Sequence, residues 1–134
     1  MGHVEKWKYA LSTIESGMDD IVESCRIGDL KADKKSILTY IGSVTSSYDV
    51  GTRAIDALEQ KGDYEGITEI AKGAKNEHEF KFMGKRVVAR IPRENAAGIA
   101  RYAVDRLANA GKTAELGEIV ATANLQEVQL YAQL

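Results

Sequence analysis

The sequence predicts a mainly α fold: a single domain over residues 1–134, a helical bundle of about five helices with one β-hairpin inserted at about residues 79–91. Three observations carry that expectation. Apolar residues recur at steps of three and four over most of the chain, the spacing of one helix face. Between 79 and 91 the period drops to two, the spacing of a strand. A chain of 134 residues, 44% hydrophobic and 28% charged, suits one core and does not have the composition of disorder.

Local signals place each element in turn. Residues 3–26 read as a helix on the stripe Val4, Trp7, Leu11, Ile14, Met18, Ile21 and Cys25, with Glu15, Asp19 and Glu23 on another face. Gly28 and Asp29 mark its stop. Residues 33–61 read as a longer helix. Asp33 suits its N-cap, and Ile37, Ile41, Val44, Tyr48, Gly51, Ile55 and Leu58 form its stripe. Ser43, Thr45, Ser46 and Ser47 weaken its middle. Trp7, Leu11, Ile14 and Met18 are expected to pack against Ile37, Ile41, Val44 and Tyr48 as an antiparallel pair. Gly62 ends the second helix, and Asp63 caps a shorter one over 64–75. Pro92 suits the first turn of a fourth helix, where its missing N–H leaves nothing unsatisfied. That helix runs to about 110 and stops at Gly111. Thr113 is a candidate cap for a fifth, carrying Leu116 to Tyr131, with Asn124 a candidate interruption.

Residues 54–74 align with 103–123 without a gap. Ala54/Ala103, Asp56/Asp105, Leu58/Leu107, Gly62/Gly111, Glu69/Glu118, Ile70/Ile119 and Ala74/Ala123 are identical. Each copy reads as helix, glycine stop, helix. The turn Gly62-Asp63-Tyr64-Glu65, with Leu58 before it and Ala71 and Ala74 after it, resembles the turn of tetratricopeptide repeats. The aromatic and glycine positions of that family's first helix are absent, and the repeat length differs. The resemblance implies no more than a protein-binding surface.

Charge is uneven. Residues 72–93 hold seven basic and two acidic residues, a charge of +5, and the rest of the chain holds 11 basic and 18 acidic, a charge of −7. The basic segment faces either an anionic partner or the acidic remainder of its own fold. Within it, Gly84-Lys85 reads as a type II′ turn, which wants glycine first. Met83 then stands opposite Arg86, Phe82 opposite Val87, Phe80 opposite Ala89 and Glu79 opposite Arg90. One face becomes Phe80, Phe82, Val87, Ala89 and Ile91. The other becomes Glu79, Lys81, Met83, Arg86, Val88 and Arg90. An isolated ribbon is marginal in water, so the phenylalanines are expected to pack on the helices or on a partner strand. Lys81, Lys85, Arg86, Arg90 and the nearby Arg93 are the candidate nucleic-acid-binding residues, since arginine forks suit phosphate. Such contacts position a protein on a backbone without reading sequence. On the competing reading Arg90 pairs with Glu79 and the other cations reach acids on the helices, although no local acid is in reach of Lys85 and Arg86 at a turn tip.

Several classes are disfavoured. One cysteine, Cys25, excludes an internal disulfide and any site needing two cysteines of one chain. Two histidines argue against a multi-histidine metal centre, and in Glu77-His78-Glu79 both glutamates point to the strand face opposite His78. No P-loop, Gly-x-Ser-x-Gly or His-Glu-x-x-His pattern occurs. No apolar run approaches the roughly 20 residues that span a bilayer, and no signal-peptide core is present. The expectation is a cytoplasmic, non-enzymatic binding or assembly subunit without catalytic, cofactor or metal residues. Its basic hairpin contacts a nucleic-acid backbone or an acidic protein surface, alongside other subunits or self-association and away from membranes. In size and helical character the chain resembles small helical subunits of RNA-guided CRISPR surveillance complexes, which implies a nucleoprotein assembly. The alternatives are a helical-hairpin protein adaptor or homo-oligomer with no nucleic-acid role, a small enzyme or regulator with a ligand pocket between the helices, and a winged-helix repressor with 64–75 as reader helix and 79–91 as wing.

Overall fold

The computed structural model of the chain describes residues 17–23 and 34–133. Helix α1 is described over residues 17–23. There follow α2 (Lys34–Val44), α3 (Tyr48–Gln60), α4 (Tyr64–Gly73), β1 (Glu77–Phe82), β2 (Lys85–Arg90), α5 (Arg93–Asn109), α6 (Thr113–Thr122) and α7 (Gln126–Ala132). The expectations for Val4, Trp7, Leu11, Ile14, Cys25 and Asp33 lie outside the described residues. In α1 it is Val22, not Ile21, that is buried, and Met18 and Ile37 pack half-buried against the core.

The long helix expected over 33–61 is two helices. The buried Thr45 accepts the N–H of Ser47 through Oγ1 (3.1 Å), and Ser47 Oγ accepts the N–H of Val50 (3.2 Å), capping α3. Short hydroxyl side chains compete with the helix for its backbone groups, and here they break it. Tyr48 therefore opens α3 at 50% exposure and is not part of a core stripe. Gly51, by contrast, is a close approach: a Cβ there would lie 2.7 Å from Ile99 Cδ1 of α5. The helix expected from 113 to 131 is also two. Asn124 N–H leaves the helix to bond Lys72 O of α4 (3.0 Å). Thr113 is the first residue of α6 and not its cap, a position taken by Lys112. Pro92 likewise occupies the N-cap position of α5, one residue before its first turn.

The internal repeat is built in three dimensions. Gly62 N–H donates to Glu59 O (3.0 Å) and Asp63 N–H to Leu58 O (2.9 Å). In the second copy Gly111 N–H donates to Ala108 O (3.1 Å) and Lys112 N–H to Leu107 O (2.9 Å). Both are Schellman closures, which need a left-handed residue; the glycines sit at φ 72° and 71°. Ala54/Ala103, Leu58/Leu107 and Ile70/Ile119 are fully buried in both copies. The first copy adds a side-chain cap, Asp63 Oδ1 accepting from Gly66 N–H (3.2 Å).

The described helices α2 to α7 stack in two rows and do not circle a common bundle axis. One row is α2, α4, α6 and the other α3, α5, α7, and each helix also packs on its chain neighbours. Principal contacts that fall on the next helix or the next but one are the pattern of helical-hairpin arrays. The core runs between the rows through Leu38, Ile55, Leu58, Ile67, Leu107 and Ile119. No described helix is long and apolar enough to cross a membrane.

Candidate nucleic-acid interface

β1 and β2 pair antiparallel as a two-stranded sheet. The turn is Met83-Gly84, with φ 52° and 77°. Positive φ at both central residues is the type I′ geometry, whose twist matches the flanking strands. This corrects the expected Gly84-Lys85 turn. Phe82 stands opposite Lys85, Lys81 opposite Arg86, Phe80 opposite Val87, Glu79 opposite Val88 and Glu77 opposite Arg90. Relative to expectation one strand has slid by two residues. A slide of two preserves the alternation of faces, so Phe80, Phe82, Val87 and Ala89 still share one set of positions, and Lys81, Arg86 and Arg90 the other. Lys85 moves from the turn to the first position of β2, in the phenylalanine set.

The slide changes the electrostatics. Glu79 now lies diagonal to Arg86, which grips it with both forks, Nε to Oε1 at 2.6 Å and Nη2 to Oε2 at 2.7 Å. The expected Arg90–Glu79 pair does not form, and Arg86, expected to lack an acid in reach, has one. The pair is exposed, and exposed pairs contribute about 0–1 kcal/mol. Arg93 begins α5 and bonds Glu127 of α7, Nε to Oε1 at 2.5 Å, so it serves the helical stack. Lys72 of α4 lies between Glu69 (3.2 Å) and Glu118 (3.9 Å). Lys85 and Arg90 are exposed and form no ion pair among the described residues. Lys81 is described at the backbone only. The structure thus gathers Lys81, Lys85, Arg86 and Arg90 on one ribbon and sets Arg93 apart.

Among the described residues the ribbon has little packed against it. Among the described elements no helix packs along either strand. At its base the buried Ile91 donates its N–H to Asn76 O (2.8 Å), and at its tip Met83 is 85% exposed.

Two further features escaped the sequence reading. In the α3–α5–α7 row, Tyr102 donates its hydroxyl to Asp56 Oδ1 (2.6 Å), and Tyr131 donates to Asp105 Oδ1 (2.7 Å). Asp56 and Asp105 are equivalent in the repeat, so each copy is latched to the next helix of its row by a tyrosine. Burial, then the Asp56 bond, raises the Tyr102 hydroxyl above its ordinary pKa against the opposing pull of Arg106. On the other row, an open furrow of about 680 Å³ runs between α2 and α4 past Lys35, Tyr40, Asp63 and Glu69. A second, of about 380 Å³, lies between α4 and α6 and shares Glu65 and Glu69 with it. Among the described residues no group of three or more His, Cys, Asp or Glu could hold a metal ion.

No protein-family model, curated protein or solved structure matches this chain.

Proposed function

We propose that the chain is a non-enzymatic binding and assembly subunit whose ribbon contacts a nucleic-acid backbone. The observation that carries this reading is a ribbon that no described helix packs along, on which the exposed Lys85 and Arg90 meet no acid among the described residues. Cations neutralised inside the fold have little to offer a phosphate; these two remain available. Arg86 can exchange a weak, exposed carboxylate pair for a phosphate. Arg93 and Lys72 pair with acids on the helices, away from the ribbon, and are left out of the proposed interface.

Salt dependence of binding to a short duplex tests this. Each phosphate contact contributes roughly −0.9 to the log–log salt slope on duplex DNA. Lys85→Ala with Arg90→Ala should flatten the slope by about 1.8, and Arg93→Ala should leave it unchanged. Equal slopes for wild type and the Lys85/Arg90 double variant would remove the nucleic-acid reading. A protein adaptor is the second reading, favoured by the furrowed α2–α4–α6 row, where the half-exposed Tyr40 stands among Asp63, Glu65 and Glu69.

A further inference from the structure

We infer that the outer edge of β1 is a homodimer interface: two copies join β1 to β1 about a two-fold axis at Phe80, making a four-stranded antiparallel sheet. This inference stands on the ribbon's backbone and charge pattern, independently of what its cations bind.

The Ile91–Asn76 bond sets the phase of the ladder. In an antiparallel pair, residues alternate between bonding across and turning their backbone groups away. Asn76 bonds across, so with the observed register His78, Phe80 and Phe82 do too. Glu77, Glu79 and Lys81 turn their N–H and C=O groups outward. Among the described elements no strand pairs with that edge and no helix packs along it, and unpaired strand edges are templates for another strand. A two-stranded ribbon is marginal alone, whereas additional strands stabilise it.

Charge chooses the occupant and the register. An antiparallel pairing of β1 with itself must oppose outward-bonding residues to each other, so its axis passes through a residue. Centred on Glu79 it opposes Glu77 to Lys81 but sets two glutamates face to face on the axis; centred on Lys81, two lysines meet; centred on His78, Glu77 stands against Glu79. Centred on Phe80 it opposes Glu79, which also holds Arg86 of its own β2, to Lys81 of the second copy and Lys81 to Glu79 of the second copy, with Phe80 opposite itself and no like charges opposed. Opposite charges across a ladder stabilise it and like charges oppose it. The β2 edge carries Lys85, Arg86 and Arg90 with no acid, which disfavours self-pairing there. The same surface on both copies closes the assembly at two chains.

Sedimentation equilibrium of the full chain tests the inference, with circular dichroism confirming that each variant folds. Wild type should reach twice the 14.7 kDa chain mass. Lys81→Glu sets four acids along the junction and should weaken the dimer about tenfold or more. The charge swap Glu79→Lys with Lys81→Glu restores opposite charges and should restore the dimer. In a Cys25→Ser background, Phe80→Cys should cross-link to its counterpart on oxidation, since facing residues of that pair type lie about 4.5 Å apart between Cα atoms, inside the disulfide range. Val88→Cys, on the β2 edge, should not. A wild-type monomer at every concentration, a dimer indifferent to Lys81→Glu, a swap that fails to restore it, or masses growing beyond two chains through head-to-tail β1–β2 pairing would each overturn the inference.

Discussion

Tyr102 shows how single residues hold the rows together. Its ring meets Tyr48 edge-on at 6.4 Å between centroids, its hydroxyl bonds Asp56, and Arg106 donates to that hydroxyl. Tyr102→Phe should cost about 1 kcal/mol, the typical net value of a hydrogen bond, read by urea unfolding. The pH dependence has a definite sign. The folded protein holds the phenolic proton above the ordinary value of 10.0, so the folded state binds more protons than the unfolded state there. This contribution is complete below pH 10 and is lost as pH rises through the folded value, and Tyr102→Phe should remove that part of the alkaline slope. At this scale the sequence was only partly legible. Asp63 announced its cap by standing between Gly62 and a helical stretch. Asp56 and Asp105 stood out as identical positions, yet their role stayed hidden. Their tyrosines lie 46 and 26 residues downstream, so the repeat does not align them.

At the scale of elements, the two glycine stops are the clearest link from sequence to geometry. Open space surrounds the absent Cβ of both Gly62 and Gly111, and both have left-handed φ. Alanine there should therefore cost about 1–2 kcal/mol through backbone strain alone. The two substitutions should match each other in thermal denaturation, because the two closures match. A loss at only one of them would mean that the copies are not equivalent. The ribbon is the opposite case. Its alternation was readable, because period two survives any even slide. Its register was not, because both candidate turns place Gly84 at a central position and both keep the faces sorted. The structure takes the turn that puts Met83 at φ 52°, a conformation with a cost for any residue but glycine, and with it the Arg86–Glu79 pair. The broken helices were half-legible: Ser43 to Ser47 and Asn124 flagged weak points, while the breaks depend on Thr45 and Lys72 as partners.

At the scale of the whole molecule, the helical content followed from periodicity, but the arrangement did not. Amphipathic stripes say which face is buried, not whether helices circle one axis or stack in rows. The repeat was the better guide, since equivalent hairpins that pack on successive neighbours make an array. The uneven charge divides the same way. Lys72, Arg86 and Arg93 are answered within the fold, and Lys85 and Arg90 remain exposed on the ribbon. On the proposed reading, that division makes the ribbon the contact surface and the helical stack its scaffold. Backbone amide chemical-shift mapping by NMR, during titration with a short oligonucleotide at low salt, tests this most directly. The account predicts the largest shifts at Lys85, Arg86 and Arg90, with Thr39, Tyr40, Ser43 and Gly66 of the α2–α4 furrow unmoved. Shifts confined to the furrow, or none on the ribbon at saturating oligonucleotide, would contradict it.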